Sequence, residues 1–205
     1  MTKLGLAINL ERCIGCHTCA NACKMQNNVP MGMLWNRVLT DGSEVIDGAT
    51  GAYPHLTRTY LPVACQHCEN PACLRVCPTG ATHKDDKGRV EIDYEKCIGC
   101  RMCMAACPYN ARVFNWNEPS RDPDFNYGDK DVPVRTKGIV EKCTLCKERT
   151  DRGDEPMCVK CCPVKARTFG DLDDPESEIS KLIVTRKAGV LLEEQGTHPQ
   201  VHYFN

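Results

Sequence analysis

Residues 97–108 read CIGCRMCMAACP, and this stretch decides which fold the chain can adopt. Its four cysteines have the spacing C-x2-C-x2-C-x3-C, and a proline follows the last of them. Three thiolates so close together suit three irons of one 4Fe–4S cluster, and the fourth cysteine of such a run ligates a neighbouring cluster. The proline ends a short helix and sets the direction in which the chain leaves it. The stretch therefore predicts part of a site that holds two clusters.

Similar groups of four cysteines occur four times along the chain, with irregular spacing. In chain order they are Cys13, Cys16, Cys19 and Cys23; Cys65, Cys68, Cys73 and Cys77; Cys97, Cys100, Cys103 and Cys107; and Cys143, Cys146, Cys158 and Cys162. Sixteen of the seventeen cysteines therefore predict four 4Fe–4S clusters. Cys161 is left as a spare thiol, because its neighbour Cys162 has both the three-residue gap from Cys158 and the adjacent proline.

Two other uses of cysteine fit this sequence less well. A disulfide framework favours an even number of scattered cysteines, whereas these are odd in number and clustered in tight runs. A structural zinc site usually takes two cysteines from one loop and two from another, whereas the first and third groups each offer three close together. Disulfides and zinc stay open as minor alternatives to iron–sulfur clusters.

The order of the groups predicts how they share clusters. The second and third groups flank the predicted hairpin ATHKDDKGRVEIDY (81–94), so we expect them to form one half of the molecule, and the first and fourth groups the other. Because the fourth cysteine of each group crosses to the other cluster of a pair, the expected ligand sets follow. They are Cys65, Cys68, Cys73 and Cys107; Cys97, Cys100, Cys103 and Cys77; Cys13, Cys16, Cys19 and Cys162; and Cys143, Cys146, Cys158 and Cys23.

Short β-prone runs lead into each group, and two return strands follow the third and fourth groups. The runs are GLAINL (5–10), RTYLPVA (58–64), GRVEIDY (88–94) and TKGIVE (136–141), and the return strands are ARVFNW (111–116) and ARTFGDL (166–172). We expect helices of only a turn or two between the third and fourth cysteines of each group. The pattern predicts an α+β fold with two pseudo-symmetric, bacterial ferredoxin-like halves, each holding two 4Fe–4S clusters, with inserted loops and an extended C-terminal tail.

The predicted division of the chain follows from these repeats. The outer half comprises 1–30 and 137–175, the inserted hairpin region 31–58, the inner half 59–114, the polar surface excursion 115–136, and the C-terminal helix and partner-docking tail 176–205. Asp174-Pro175 is a favourable helix start, and Ile179, Leu182 and Ile183 share one face of the helix that follows. The last residues look extended, and they fit either this domain or a partner.

Composition and motifs argue against several classes of function. The formal net charge of −1 gives no basic face for nucleic acid. Four clusters at about −2 each would take it to about −9. We expect no transmembrane segment and no export signal, because no apolar run has the required length. The sequence has no P-loop, dinucleotide-binding motif or catalytic triad, so we expect a chain that is not itself an enzyme.

Some residues near the cysteines have two interpretations. Cations in the cysteine loops either lie in solvent or tune cluster potentials, and these are Arg12, Lys24, Arg75, Lys96, Arg101, Lys142, Lys147, Lys160 and Lys165. His17 and His67 are either ordinary loop residues, the more favoured interpretation, or donors to cluster sulfur. Trp35, Trp116 and Tyr109 are expected to pack against loops or clusters rather than carry electrons.

The cysteine scaffold resembles a known family, the four-cluster iron–sulfur subunit of the dimethyl sulfoxide reductase superfamily of molybdopterin oxidoreductases. The stretches that carry the resemblance are ERCIGCHTCANACK (11–24), CQHCENPACLRVCPTGA (65–81), CIGCRMCMAACPYNAR (97–112), EKCTLCKERTDRGDEPMCVKCCPVKA (141–166) and FGDLDDPESEISKL (169–182). Nitrate reductase relatives replace one cysteine of the third group with tryptophan, whereas this chain has Cys100 there.

The resemblance implies partners and a location. A separate catalytic subunit would hold a molybdenum bis-pterin cofactor, and a membrane subunit would exchange electrons with quinol. The chain would relay electrons between them, attached to the outer face of the cytoplasmic membrane through its partners and exported with the catalytic subunit. The alternatives are a cytoplasmic location and, for function, a free-standing polyferredoxin that shuttles electrons between soluble enzymes.

Overall fold

The computed structural model describes residues 2–42, 45, 47–119 and 128–205. Part of the expected polar excursion, residues 120–127, lies outside the described residues. The strands are β1 (Leu4–Asn9), β2 (Arg37–Asp41), β3 (Thr50–Ala52), β4 (His55–Thr57), β5 (Thr59–Val63), β6 (Thr82–Lys84), β7 (Val90–Ile92), β8 (Arg112–Phe114), β9 (Val140–Lys142), β10 (Arg167–Asp171) and β11 (Val201–Phe204). The helices are α1 (Thr18–Gln26), α2 (Ala72–Arg75), α3 (Met102–Ala105), α4 (Lys147–Asp151), α5 (Met157–Lys160) and α6 (Glu178–Arg186), and a short 3₁₀ helix covers Glu193–Gln195.

One sheet of three strands joins distant parts of the chain in the order β10-β1-β11. Strand β1 is antiparallel to β10, with Leu6 opposite Phe169, and parallel to β11, with Leu6 opposite Val201. The sheet therefore brings together the segment before the first cysteine group, the segment after the fourth group and the C-terminal residues. Strand β11 therefore lies on this domain. The sequence had left open whether these last residues lie on this domain or on a partner.

The remaining strands form antiparallel pairs, which are β2–β5, β3–β4, β6–β7 and β8–β9. The predicted hairpin between the second and third groups is confirmed as β6–β7, with Thr82 opposite Ile92. The pair β8–β9 joins the return strand of the third group to the strand before the fourth group, with Arg112 opposite Lys142. Antiparallel strand pairs thus position the middle of the chain, while the three-stranded sheet brings its two ends together.

Helix length follows the position of proline. Helices α2, α3 and α5 have four residues each, as predicted, and their groups carry proline after the fourth cysteine. The prediction is wrong for α1, which has nine residues. The first group has Lys24 where the other groups have proline, so its helix continues beyond Cys23.

The C-terminal helix begins later than the sequence predicted. Helix α6 starts at Glu178, after Ser177, whose Oγ accepts a hydrogen bond of 3.2 Å from the backbone N–H of Ser180. The carboxylate of Asp174 instead accepts from the backbone N–H of Glu176, which makes a turn before the helix. The predicted apolar face is confirmed, because Ile179 is fully buried in a cluster with Ala7 and Phe204, against which Leu182 and Ile183 pack.

Cysteines form part of the buried interior. One cluster packs Cys158 with aliphatic residues of β1 and with Tyr203. Another packs Cys23, Cys65, Cys68 and Cys143 with side chains that include Trp35. Apolar side chains therefore pack directly around several of the thiols, while Cys16 and Cys100 are exposed.

Candidate iron–sulfur sites

Three cavities are each lined by four cysteines and have the same volume of about 20 Å³. In each cavity, three cysteines come from one group and the fourth from another. Site A is defined by Cys97, Cys100, Cys103 and Cys77, site B by Cys65, Cys68, Cys73 and Cys107, and site D by Cys13, Cys16, Cys19 and Cys162. Loops of different spacing thus enclose spaces of one size, as expected if each holds the same inorganic body.

The fourth set of cysteines is the most enclosed. Site C is defined by Cys23, Cys143, Cys146 and Cys158, all four of which are buried. Burial raises the pKa of the Cys23 thiol well above its ordinary value, and the thiols of the other three raise it further. The amide Nδ2 of Asn27 lies 3.6 Å from the sulfur of Cys23 and 3.8 Å from that of Cys146, so one side chain bridges two members of the set.

Neighbouring sites interact electrostatically. In three thiols burial raises the pKa, and a thiol of the next site raises it further. The interacting pairs are Cys103 with Cys73 between A and B, Cys143 with Cys65 between B and C, and Cys158 with Cys19 between C and D. Packing gives the same order: Arg112 lines the cavities of A and B, Cys65 of B lies in one buried cluster with Cys143 of C, and Cys19 of D packs against the cluster that contains Cys158 of C. The sites therefore follow one another in the order A, B, C, D.

A left-handed residue shapes each C-x-x-C turn. The residue before the second cysteine has a positive φ in all four groups, and these residues are Gly15, His67, Gly99 and Leu145. The glycines also sit in tight space: a Cβ on Gly99 would lie 2.1 Å from the carbonyl oxygen of Gly138, and one on Gly15 would lie 2.3 Å from the ring of Tyr60. The same backbone turn therefore presents the thiols at every site.

Backbone donors face several sulfurs. The N–H groups of Thr82, Leu145 and Ala166 point at the sulfurs of Cys77, Cys143 and Cys162, at 3.4, 3.4 and 3.3 Å. Burial opposes ionisation of Cys77, but hydrogen bonds from Thr82 and Thr79 outweigh it and lower the pKa of that thiol. Donors aimed at sulfur favour the thiolate, the form that ligates iron. Four thiols with such donors around a shared cavity fit a 4Fe–4S cluster.

The comparisons with known proteins agree with this geometry. A 4Fe-4S dicluster domain matches residues 56–122 and 130–172, and a 4Fe-4S binding domain matches residues 5–25. A putative dimethyl sulfoxide reductase iron–sulfur subunit of Halobacterium salinarum is 54% identical over 100% of this chain and 80% of its own length. The chain belongs to the family of iron–sulfur subunits of dimethyl sulfoxide reductase-type oxidoreductases.

Two further relatives of this iron–sulfur subunit carry other names. The arsenate respiratory reductase iron–sulfur subunit of a Shewanella species is 38% identical over 98% of this chain and 95% of its own length. The menaquinone reductase iron–sulfur cluster-binding subunit of Nitratidesulfovibrio vulgaris is 37% identical over 99% of this chain and 89% of its own length. The family function is electron transfer through iron–sulfur clusters.

The spare cysteine and the loop histidine of this subunit have other contacts. Cys161 does not line any of the three cavities, and its S–H faces the carbonyl oxygen of Thr18 at 3.8 Å. Burial and neighbouring thiols raise its pKa to about 11. Burial also lowers the pKa of His67 far below its ordinary value, and its Nδ1 accepts a 3.1 Å hydrogen bond from the backbone N–H of Val90. His67 thus supports strand β7 as a neutral ring.

The aromatic residues pack as predicted. The guanidinium of Arg135 lies 4.6 Å from the ring centre of the buried Trp35, and that of Arg101 lies 4.6 Å from the ring centre of Trp116. The hydroxyl of Tyr109 lies 3.3 Å from the carbonyl oxygen of Leu191. These contacts hold loops in place around the sites.

Sequence reasoning missed two buried arginines. Arg112 and Arg167 are 2% and 6% exposed, and Arg112 lines sites A and B while Arg167 lines site D. Both occupy the same place in a repeat, since CPYNAR (107–112) and CPVKAR (162–167) end in arginine five residues after the fourth cysteine. That repeat is the signal that identifies them. Of the nine loop cations named from the sequence, Lys142 is the one that is almost fully buried among those described.

The residues that the structure describes lack two features, a site for a single metal ion and a membrane-spanning helix. No three His, Cys, Asp or Glu side chains there converge as ligands of one metal ion. At sites A, B and D four thiols instead line one shared cavity, as a four-iron cluster requires. Among the helices of the same residues, none combines the length and the apolar character needed to cross a bilayer.

Proposed function

We propose that this subunit relays electrons through four 4Fe–4S clusters in series, between a molybdopterin catalytic subunit and a quinol-linked membrane subunit. The observation that carries the proposal is the succession of four sets of four thiols, in which neighbouring sets share a lining residue or pack in the same buried cluster. Each cluster would accept and release single electrons. The chain's own residues hold the clusters, order them and exclude water from the inner two.

The proposed ligands are the members of sites A, B, C and D, one cluster to each site. Sites A and B would form the inner half and sites C and D the outer half of a pseudo-symmetric molecule, with the segment boundaries given above. Support comes from the repeated left-handed turn in all four groups and from the repeated arginine after the third and fourth groups. The cluster type follows from four thiols per site, since a three-iron cluster would lack one.

Electrons would enter and leave at sites A and D. Of the seventeen cysteines, the two exposed ones are Cys100 in site A and Cys16 in site D. Beside them, in the same position of each motif, Ile98 is 67% exposed and Ile14 is 57% exposed. An exposed apolar side chain next to a near-surface site suits a protein partner that docks closely enough for electron transfer. Sites B and C lie between these two ends.

The partners and location are proposed from the family. The names of relatives include an arsenate respiratory reductase and a menaquinone reductase, which supports a catalytic subunit on one side and a quinone-linked subunit on the other. The reaction chemistry would belong to the catalytic partner, and this chain would be no enzyme by itself. It would be held peripherally at the outer face of the cytoplasmic membrane through those partners.

Metal analysis and co-purification test the proposal. The full chain, purified without oxygen from native expression, is expected to contain about sixteen iron and sixteen sulfide per chain. It is also expected to carry a second subunit that yields molybdopterin fluorescence after oxidation. A folded, colourless preparation without iron would refute the clusters. A monomer with full iron and no partner would refute the complex and favour a free polyferredoxin.

A further inference from the structure

Two cations lie directly opposite each other inside the protein. Arg112 and Lys142 are partners across the strand pair β8–β9, and they are 2% and 1% exposed. Like charges facing each other across a sheet are destabilising, and burial adds a large cost for each unpaired charge. The arrangement therefore requires negative charge close by.

Carboxylates of the described chain do not supply that charge to Arg112. Its Nη1 donates to the hydroxyl of Thr82 at 3.3 Å, while Nε and Nη2 are buried without a hydrogen-bond partner in the described structure. Burial alone would lower the pKa of Arg112, but the thiols of Cys73, Cys103 and Cys65 outweigh it and raise that pKa. Arg112 also lines the cavities of sites A and B, so the groups that face its charge are sulfurs of those two sites.

Lys142 has a similar environment between sites B and C. Its ammonium donates to the backbone carbonyls of Val90 and Cys143, the second at 2.8 Å. Val90 lines the cavity of site B and Cys143 belongs to site C, so the ammonium lies between the two sites. The nearby Glu91 is a poor counter-ion, because burial raises its own pKa against the pull of Lys142.

A third cation occupies the next interval. Arg167 is 6% exposed, and its Nη2 lies 3.4 Å from the sulfur of Cys19 in site D and 3.3 Å from the amide oxygen of Asn36. Burial opposes the charge of Arg167, but the thiols of Cys158 in site C and Cys19 in site D outweigh it and raise the pKa. Thus one buried cation lies at each interval of the series A, B, C, D.

We propose that Arg112, Lys142 and Arg167 are fixed counter-cations, each set between two neighbouring clusters, which raise the reduction potentials of the clusters they face. The inference rests on the proposed function. Reduction takes a 4Fe–4S cluster from about −2 to about −3, next to a neighbour that is already about −2. A buried cation between them stabilises the added electron, and in a low-dielectric interior this interaction is strong.

Redox titration followed by electron paramagnetic resonance tests the proposal on the purified complex. In Arg112→Gln, the one-electron reduction equilibria of clusters A and B are expected to become at least tenfold less favourable, which is about 59 mV, while clusters C and D keep theirs. In Arg167→Gln, clusters C and D are expected to change and A and B to stay. Signals are assigned beforehand with single-ligand variants of each site.

A matched control and iron analysis separate the possible failures. Arg75→Gln removes an exposed cation that lies between Cys73 and Cys77 in the sequence, and it is expected to shift no potential. Full iron with unchanged potentials for A and B in Arg112→Gln would overturn the inference while leaving the proposed function intact. Absence of iron from the wild-type chain would instead overturn the proposed function.

A charge-preserving variant decides the case in which Arg112→Gln loses iron. Arg112→Lys keeps the charge but replaces the planar fork of five N–H donors by a compact ammonium with three. Reduction equilibria of clusters A and B that stay within threefold of wild type, with full iron, would support a fixed charge. A tenfold or greater fall in those equilibria, with full iron, would overturn the inference and assign the effect to hydrogen-bond geometry.

Discussion

The guanidinium Nη2 of Arg167 lies 3.4 Å from the sulfur of Cys19, although the two residues are 148 positions apart. The strand pairing that places Ile8 opposite Arg167 brings them together. Sites C and D therefore depend on closure of the chain ends by the three-stranded sheet. Sites A and B use two groups joined by the local hairpin β6–β7. The two pairs of sites thus form from contacts of very different sequence separation.

Double cysteine variants test how the groups share clusters. Cys77→Ala and Cys97→Ala both remove ligands of site A, so their combination is expected to alter one cluster signal, as each single variant does. Cys77→Ala with Cys65→Ala removes ligands of sites A and B and is expected to alter two. The readouts are the resonance signals and iron content, with a loss of up to about four or about eight atoms.

The opposite outcome would assign each group to its own cluster. In that case Cys77→Ala with Cys65→Ala would alter one signal, and Cys77→Ala with Cys97→Ala would alter two. The cavities bring Cys77 to the third group and Cys107 to the second, so the crossed assignment is the expected one.

Variants of the adjacent residues Cys161 and Cys162 test which of them is the fourth ligand of site D. Cys161→Ser is expected to keep all of the iron, because Cys161 faces the carbonyl of Thr18 and lies outside the cavity of site D. Cys162→Ser makes the same chemical change one residue along and is expected to damage the cluster at site D. Iron analysis and the resonance signal of that cluster distinguish them. Loss of about four irons from Cys161→Ser would contradict the assignment.

Two glycines with the same backbone angle test how tightly the loop of site A is packed. Gly99 has φ +67° and Gly80 has φ +66°, but only a Cβ on Gly99 meets a neighbour, the carbonyl oxygen of Gly138. Gly80→Ala is expected to cost about 1–2 kcal/mol through left-handed strain. Gly99→Ala adds overpacking of about 1–3 kcal/mol and is expected to release iron from site A.

Thermal unfolding and iron content of the two glycine variants provide the measurement. Equal loss of stability with full iron in both would show that strain alone matters and that the contact with Gly138 is relieved by a small shift. A larger loss in Gly99→Ala, confined to the cluster at site A, is the expected result.

The sequence predicts the cysteine groups, the short proline-ended helices and the hairpin between the middle groups, because these depend on local spacing. It does not predict that β11 joins β1, since that parallel pairing connects the two ends of the chain and leaves no local pattern. The length of α1 was open to prediction, because Lys24 stands where proline ends the other helices. The late start of α6 depends on which of Asp174 and Ser177 caps the helix, and both are good candidates by type.

The buried cations show a different limit. Arginine in a short strand favours a solvent-facing interpretation, because a buried charge is costly in an ordinary core. Arg112 and Arg167 depart from it because they face cysteine groups instead of apolar side chains. Composition does not show that an arginine faces a cysteine group, but the repeated sequence Cys-Pro-x-x-Ala-Arg indicates it.

A buried carboxyl outside the four sites makes stability depend on pH. Glu141 is fully buried on β9, where the amide of Asn115 donates to its Oε1 at 2.9 Å and the Nε of Arg135 lies 4.0 Å from the same oxygen. Burial raises the pKa of Glu141 above its ordinary value, although Arg135 opposes the shift. The protonated form is therefore favoured by folding.

The sign of the effect follows from linkage. A carboxyl whose pKa is raised in the folded state contributes stability below its unfolded pKa of about 4.3 and loses it as pH rises through the folded pKa. Glu141→Gln does not titrate and keeps an oxygen for Asn115. The melting temperature of wild type relative to Glu141→Gln is therefore expected to fall as the pH rises above about 4.3. Glu95→Gln, which makes the same chemical change at an exposed residue, serves as the matched control. A pH-independent difference for Glu141→Gln would mean that Arg135 holds the carboxylate ionised throughout, against the direction of the pKa shift.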